Sequence, residues 1–266
     1  MCVSAEEDFS RSVVTEPHSG GLIAEAADMI GAAGSIVVST GAGMSRESGV
    51  RTFRGEEGLW KEYRAEDLAS IEGIRKDPAL VWEWYRERLK ACQELEPHAG
   101  YYALVSMQNG KGILPLITQN VDGLHQKAGV KDVIELHGNL RTASCIDSCG
   151  VSRVQMTGDL FEKLPPRCSC GSILRPDVVL FGEQLPEQAL SRAFRLADSC
   201  DLMMVIGTSM VVYPASSLPL IALRRGVKVI EINPEETPLS SLDGVLSLRY
   251  TAGSVLPELV KAVYGV

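Results

Sequence analysis

SIVVSTGAGMSR, residues 35–46, joins an apolar run to a glycine-rich loop, and this junction decides the fold. The β-branched run from Ser35 to Thr40 predicts a buried strand. The segment that follows, Gly41-Ala42-Gly43-Met44-Ser45, offers small residues where a backbone can approach a phosphate closely. Taken alone, the loop is equally well interpreted as a tight turn.

The loop departs from the usual dinucleotide-binding fingerprint. Arg46 stands where that fingerprint has its third glycine, and no strand ending in an acid follows about twenty residues later. These differences disfavour a conventional dehydrogenase.

Similar apolar runs recur along the chain and alternate with helical patterns, which predicts an α/β fold with a Rossmann-like, doubly wound parallel sheet. The predicted strands are Ser35 to Thr40, Ile113 to Thr118, Val133 to Leu136, Leu202 to Gly207 and Val227 to Ile232. The predicted helices are Leu22 to Ala33, Glu187 to Asp198, Pro214 to Arg224 and Val255 to Tyr264.

Two segments interrupt this alternation and predict a smaller second domain. Residues 56–95 are helical and charged, and residues 141–177 contain paired cysteines, so we expect a helical module and a zinc module. Residues 21–55, 96–140 and 178–266 are expected to form the Rossmann-like domain. Residues 1–20 are polar and aperiodic, which indicates a flexible leader.

Composition limits the functional classes. The 266 residues are 45% hydrophobic, but no apolar run approaches the length of a membrane span, and the acidic N-terminal residues do not form a signal peptide. A net charge of −8 argues against nucleic-acid binding and is compatible with lysine-rich partners. We therefore expect a cytoplasmic monomer that contacts neither membranes nor nucleic acid.

Four of the seven cysteines form two close pairs. Cys145 and Cys149 have three residues between them, Cys168 and Cys170 have one, and eighteen residues separate the pairs. This spacing predicts a closed, four-thiolate structural zinc site, with free core cysteines as the alternative.

Polar residues follow several predicted strands. TQNVDGLH at 118–125 and ELHGN at 135–139 both fall where open α/β sheets bind ligands. A lone histidine is more often structural, which is how we interpret His98 and His125. Gly207-Thr208-Ser209 and Asn233-Pro234-Glu235 follow later strands and, by themselves, are more readily interpreted as helix caps than as ligand groups.

An arginine interrupts the apolar side of a predicted helix from Trp82 to Leu95. At helical spacing Arg88 falls among the apolar residues, where an unpaired charge would be costly. Either Arg88 binds a ligand, or it extends to solvent or forms a structural salt bridge.

Together these motifs resemble the sirtuin family. Residues 41–55, GAGMSRESGVRTFRG, are similar to its cofactor-binding signature, although Arg51 replaces the common proline. The 118–125 and 135–139 loops, the segments after Gly207 and Ile232, and PDVVLFGE at 176–183 also match in order. Both cysteine pairs depart from the usual spacing of two residues, which affects the expected loop geometry more than metal binding.

The resemblance implies a set of site residues. His137 is the expected general base, because imidazole can accept a proton from a ribose hydroxyl near neutral pH, and Asn120 and Asp122 are expected to hold the nicotinamide half of NAD. Further NAD contacts are expected from Gly41, Ala42, Gly43, Ser45, Phe53, Arg54, Trp60, Gln119, Gly207, Thr208, Ser209, Asn233, Glu235 and Ala252. Phe53 would exclude water and Arg54 would serve the phosphates.

The resemblance also implies a substrate site. Val179, Phe181, Gly182 and Val211 are expected to bind the acyl-peptide backbone as an added strand. Tyr85 and Arg88 are neighbours on one helix face and look like the pair that recognises succinyl, malonyl or glutaryl lysine in one sirtuin class, with Ala69 leaving room for the longer acyl chain.

The implied function is NAD-dependent lysine deacylation that consumes NAD, releases nicotinamide and forms an O-acyl-ADP-ribose. Three alternatives remain open. One is an ordinary deacetylase without a preference for acidic acyl groups, and another is a mono-ADP-ribosyltransferase. The third is a non-catalytic NAD or ADP-ribose sensor, which would not need His137 as a base.

Overall fold

A computed structural model gives the structure of residues 19–50, 65–111, 115–151 and 153–265. The strands are β1 (Ile36–Thr40), β2 (Leu116–Thr118), β3 (Val133–Glu135), β4 (Gly138–Cys145), β5 (Val154–Gln155), β6 (Leu174–Val178), β7 (Leu202–Ile206), β8 (Lys228–Ile232) and β9 (Val245–Leu248). The helices are α1 (Ser19–Ala32), α2 (Gly43–Arg46), α3 (Ala65–Leu68), α4 (Ile71–Lys76), α5 (Pro78–Glu94), α6 (Ala99–Lys111), α7 (Leu124–Ala128), α8 (Glu187–Ser199), α9 (Leu218–Arg224) and α10 (Ala252–Tyr264).

The main sheet has six parallel strands in the order β3-β2-β1-β7-β8-β9. The chain builds outward from β1 to β3, crosses back to β7 and then continues to β9, so the order reverses between β1 and β7. Open α/β sheets bind their ligands at such a reversal, outside the carboxyl ends of the strands. The predicted doubly wound parallel sheet is confirmed.

Alternate residues of the central strands face two hydrophobic layers. In β1, Ile36 and Val38 pack with α1, α6 and α10, whereas Val37 packs with α8 and α9 on the other face. Because both faces are covered, the strands can be apolar throughout, which is why they were recognisable as continuous runs. No helix within the described ranges is long and apolar enough to cross a membrane.

The second sheet is three-stranded and antiparallel, in the order β5-β4-β6. Its buried side chains share one hydrophobic cluster with α3, α4 and α5, in which the Trp82 indole donates to the Leu174 carbonyl at 2.7 Å. Ser70 and Asp77 are the N-caps of α4 and α5, and their side chains accept hydrogen bonds from backbone amides in the first turns of these two helices. On this packing we propose that the two inserted segments form one small domain.

Several predicted boundaries differ from the structure. Helix α1 begins at Ser19, so the predicted leader is too long by Ser19 and Gly20, because an exposed glycine does not prevent a first helical turn. Strand β4 runs across the expected boundary at 140/141, because Gly138 already pairs with Val178. The predicted helix from Pro214 opens as a short 3₁₀ turn, Ala215–Ser217, before α9 begins.

Candidate functional site

The glycine-rich loop crosses the end of β7 at very short range. A Cβ on Gly41 or Gly43 would lie 2.8 Å from the Gly207 carbonyl oxygen, and one on Gly207 would lie 2.2 Å from the Met44 nitrogen. The Gly43 amide donates to the Gly207 carbonyl at 2.7 Å. These glycines therefore allow two backbones to cross at the β1/β7 reversal, which is a requirement separate from phosphate binding.

The β2 loop lies directly against this crossing. Asn120 is buried, and its Nδ2 donates to the Gly41 carbonyl at 2.9 Å and to Ser45 Oγ at 2.8 Å. Ser45 Oγ donates to Asp122 Oδ2 at 2.7 Å. Since that bond uses the only hydroxyl hydrogen of Ser45, the Tyr101 hydroxyl, 2.9 Å away, donates to Ser45.

Opposing effects act on the Asp122 carboxyl. Burial raises its pKa, while hydrogen bonds from the Leu124 amide and Ser45 and the positive charge of Arg88 lower it, and the net direction is upward.

His137 is half-buried between β3 and β4 and is held by its backbone and its ring. Its carbonyl accepts the Val179 amide at 2.9 Å, and Nδ1 lies 3.0 Å from the Gln119 carbonyl oxygen. Because a carbonyl can only accept, Nδ1 carries the proton and Nε2 keeps a lone pair. Burial lowers the pKa of His137, although the bond to Gln119 opposes this, so the ring is neutral near pH 7.

The other two histidines of the core have structural partners. His98 Nε2 lies 2.7 Å from the Met44 carbonyl and its Nδ1 accepts the Gly100 amide. His125 is fully buried, with Nε2 2.9 Å from Thr40 Oγ1, and burial lowers its pKa to about 3.

Thr208 connects the two sides of the crevice. Its Oγ1 accepts Gln119 Nε2 at 3.2 Å, and its carbonyl accepts Asn233 Nδ2 at 3.0 Å. The Glu235 amide in turn donates to Asn233 Oδ1. Amide and hydroxyl groups at these strand ends suit the ribose hydroxyls of a dinucleotide.

The remaining expected cofactor positions differ in accessibility. Ala42 is half-buried and Ser209 is exposed, whereas Ala252 is buried at the start of α10, where Glu47 accepts hydrogen bonds from Thr251 and Gly253. Phe53, Arg54 and Trp60 lie outside the described residues.

The expected substrate residues follow β6 and β7. The Phe181 amide donates to the Ala69 carbonyl at 2.8 Å, so this loop joins α3 to the site. Phe181 and Val211 are exposed apolar residues, Val179 is half-buried, and Gly182 is exposed.

On α5, Tyr85 and Arg88 lie beside the same region. Tyr85 is buried, which raises its pKa, while the nearby charges of Arg88 and Arg175 lower it. Arg88 is half-buried, with its guanidinium carbon 4.7 Å from the centre of the Trp84 ring. Because Trp84 and Arg88 are four residues apart on α5, this stacking lies along one face of the helix.

The four paired cysteines converge at the end of the second sheet. The Sγ atoms of Cys145, Cys149, Cys168 and Cys170 all lie within 4.8 Å of one another, and two of the distances are 3.6 and 3.5 Å. Tetrahedral Zn–S bonds of about 2.3 Å place sulfurs about 3.8 Å apart. The cluster therefore fits a structural zinc ion, and four thiolates would leave no position open for catalysis.

Sequence reasoning missed three polar groups of this region. They are the Tyr101 hydroxyl, the Glu231–Arg249 pair and the Arg175–Glu183 pair, which closes the loop after β6. The available signal was Glu231, a charged residue that follows the apolar Val229 and Ile230 in β8.

Comparisons with known proteins agree with this arrangement. The Sir2 family model matches residues 41–214. An NAD-dependent protein deacylase of Thermococcus kodakarensis is 45% identical over 247 residues, covering 91% of this chain and 96% of that protein. One of Aquifex aeolicus is 49% identical over 209 residues, covering 78% of this chain and 87% of that protein.

Solved structures give the same result. A mutant Sir2 homologue in complex with ADP-ribose has a TM-score of 0.86 at 44% identity, covering 91% of this chain and 96% of that one. A Sir2 homologue–NAD complex has a TM-score of 0.84 at 44% identity, covering 91% and 93%. The chain therefore belongs to the Sir2 family, the sirtuins, with NAD as co-substrate and a cysteine cluster that fits structural zinc.

Proposed function

We propose that this protein is an NAD-dependent lysine deacylase that removes succinyl and malonyl groups from proteins, with acetyl as a further substrate. Nicotinamide and an O-acyl-ADP-ribose are the other products. The names of the similar NAD-dependent protein deacylases support deacylation. The observation that carries the proposal is the orientation of His137.

His137 has the properties of a general base. The Gln119 carbonyl fixes the proton on Nδ1, and burial keeps the ring neutral, so the Nε2 lone pair is available to accept a proton. Asn120 and Asp122, tied together through Ser45, would hold the nicotinamide half of NAD beside it. The sensor alternative gives no reason for this arrangement.

The remaining cofactor positions would hold the rest of the dinucleotide. The backbone of Gly41, Ala42 and Gly43 would approach the phosphates, and Thr208 and Asn233 would bind the ribose on the β7 and β8 side. When bound, NAD supplies the ribose that receives the acyl group.

The preference for acidic acyl groups rests on Arg88 and Tyr85. A guanidinium can form two charge-assisted hydrogen bonds with a distal carboxylate, and a tyrosine hydroxyl can add another. Stacking on Trp84 orders the Arg88 side chain before substrate binds, which reduces the entropy lost on binding. The small side chain of Ala69 leaves space for a four-carbon acyl chain.

The peptide backbone would add as a strand beside the loop after β6. Val179 and Phe181 already anchor this loop through their amides to His137 and Ala69, so the base and the acyl pocket meet at one edge. The exposed faces of Phe181 and Val211 would cover the peptide.

The test compares acetyl-lysine and succinyl-lysine versions of one peptide. Arg88→Met should lower kcat/KM for the succinyl peptide about 10- to 100-fold, since a hydrogen bond to a charged group contributes roughly 1.5–3 kcal/mol. Turnover of the acetyl peptide should change much less, and Tyr85→Phe should give a smaller selective loss.

Arg86→Met is the matched control. Arg86 lies on the same helix but pairs with Glu83 and Glu87 on the solvent side, so both peptides should be processed normally. If Arg88→Met lowered kcat/KM equally for both peptides, Arg88 would act on the Asp122 side of the site. The proposed preference for acidic acyl groups would then be wrong. ADP-ribosylated peptide with its acyl group intact would instead support ADP-ribosyl transfer.

A further inference from the structure

The buried carboxylate of Glu231 in β8 has no part in the chemistry proposed above. Glu231 is 1% exposed and accepts hydrogen bonds from the hydroxyls of Thr237, Ser240 and Ser247. The distances from its Oε2 to the two serine hydroxyls are both 2.7 Å. Burying a carboxylate is costly unless donors surround it, so this cluster has to be assembled for the strand to pack.

Arg249 connects this carboxylate to the loop after β8. Its Nη1 lies 3.3 Å from Glu231 Oε2, 3.0 Å from the Glu235 carbonyl and 3.4 Å from the Asn233 carbonyl. The guanidinium thus has the buried Glu231 on one side and two backbone carbonyls of the Asn233–Glu235 loop on the other. Glu231 therefore holds the Arg249 side chain in place, and Arg249 in turn holds the loop.

The same loop is bonded to the nucleotide crevice. Asn233 Nδ2 donates to the Thr208 carbonyl, Thr208 Oγ1 accepts from Gln119, and the Gln119 carbonyl accepts from His137. A dinucleotide bound across the β1/β7 reversal with its reactive end at His137 must extend its other end over β7 and β8. That end would then lie at the Asn233–Glu235 loop, which directly follows β8.

We propose that Glu231 and Arg249 are positioning residues that hold the Asn233–Glu235 loop in the shape that receives the adenosine half of NAD. They set the affinity for NAD and leave the chemical step at His137 unchanged. This inference rests on the NAD dependence of the proposed function, and it is independent of the preference for acidic acyl groups.

The experiment measures binding of ADP-ribose by calorimetry and the steady-state constants with the better acyl peptide. Arg249→Met should weaken ADP-ribose about tenfold, equivalent to about 1.4 kcal/mol, and raise KM for NAD by a similar factor. The kcat value and KM for the peptide should stay within about twofold, whereas general structural damage would move all of them.

Two variants serve as controls. Arg225→Met makes the same change at an exposed arginine near Asp198, and it should leave every constant unchanged. Arg249→Lys keeps the charge and should recover part of the lost affinity. Unchanged ADP-ribose affinity in Arg249→Met, or a fall in kcat without a change in affinity, would overturn the proposal.

If Arg249→Met does not fold, Ser247→Ala removes one donor from Glu231 and should give a smaller rise in KM for NAD alone. An unchanged KM in that variant would also count against the proposal. Because ADP-ribose binding needs no acyl peptide, failure of this inference is separable from failure of deacylation. Intact protein that does not bind ADP-ribose would contradict the proposed function itself.

Discussion

Different interactions stabilise two regions of the molecule. One is the nucleotide crevice at the β1/β7 reversal, and the other is the cysteine module formed by the second sheet and its four cysteines. At the crevice, the backbones at Gly41 and Gly43 cross the backbone at Gly207 with no room for a methyl group. In the cysteine module, four thiols and a hydrophobic cluster around Trp82 hold a small antiparallel sheet. The first region is therefore sensitive to added volume, and the second is sensitive to loss of a ligand.

The largest expected effect is at Gly207. Its φ of +62° disfavours any side chain, and its Cβ would clash with backbone, which cannot move aside. Gly207→Ala should cost more than about 4 kcal/mol or prevent folding. Gly226→Ala is the matched control, since φ is +77° and nothing lies within 4 Å, and it should cost about 1–2 kcal/mol. If urea unfolding showed the same loss of unfolding free energy in Gly207→Ala and Gly226→Ala, the close backbone crossing at Gly207 would be refuted.

Loss of a cysteine should affect the other region. Cys168→Ser should reduce bound zinc from one equivalent to none and lower the thermal midpoint, because metal binding contributes directly to folding. Cys200→Ser, at a buried cysteine outside the cluster, should keep its zinc. ADP-ribose affinity should stay within a few-fold in Cys168→Ser, since none of the four cysteines is among the expected NAD contacts. Retention of zinc would contradict the four-thiolate site.

Two histidines of this region should affect different properties. His137 should affect the reaction rate, and His125 should affect folding stability. His137→Asn should lower kcat/KM about 10²- to 10⁴-fold while ADP-ribose binding and the thermal midpoint persist. In the intact protein, the acid limb of the kcat/KM profile should lie below the ordinary histidine pKa of about 6.5, because burial lowers the pKa of His137. An acid limb above that value would contradict the neutral, buried base.

His125 should instead affect the pH dependence of folding. Its pKa is lowered to about 3 in the folded state, so the unfolded chain binds a proton more readily as pH falls below about 6.5. Stability should decline between pH 6.5 and pH 5, by about 2 kcal/mol from this residue, and His125→Asn should flatten that slope. An unchanged slope in urea unfolding would show that His125 is not buried in its neutral form.

The sequence predicted the parts of the fold that depend on local pattern. Strands β1 and β7 are fully buried and β8 is buried except at Lys228, so their sequences are largely apolar, and the helices that cover them alternate with these runs. Strand β9 was missed because it lies at the sheet edge, where only Leu248 is buried. With four residues, it is also too short to show a clear periodicity.

The site was predictable to the extent that its residues follow strand ends. The loops after β2, β3, β7 and β8 could be placed at one edge because parallel strands share a direction. Contacts between distant segments could not be read from sequence. Tyr101 reaches Ser45 from α6, and Arg249 reaches Asn233 from beyond β9, so neither shows a local signature.

NAD-dependent deacylation by this protein is best tested by identifying its reaction products. Intact protein is incubated with NAD and a succinyl-lysine peptide, and nicotinamide and unmodified peptide are quantified by mass spectrometry. Nicotinamide and unmodified peptide are expected in equal amounts, neither should form when NAD is omitted, and little of either should form with His137→Asn. Consumption of NAD with the acyl group retained and ADP-ribose attached to the peptide would contradict it.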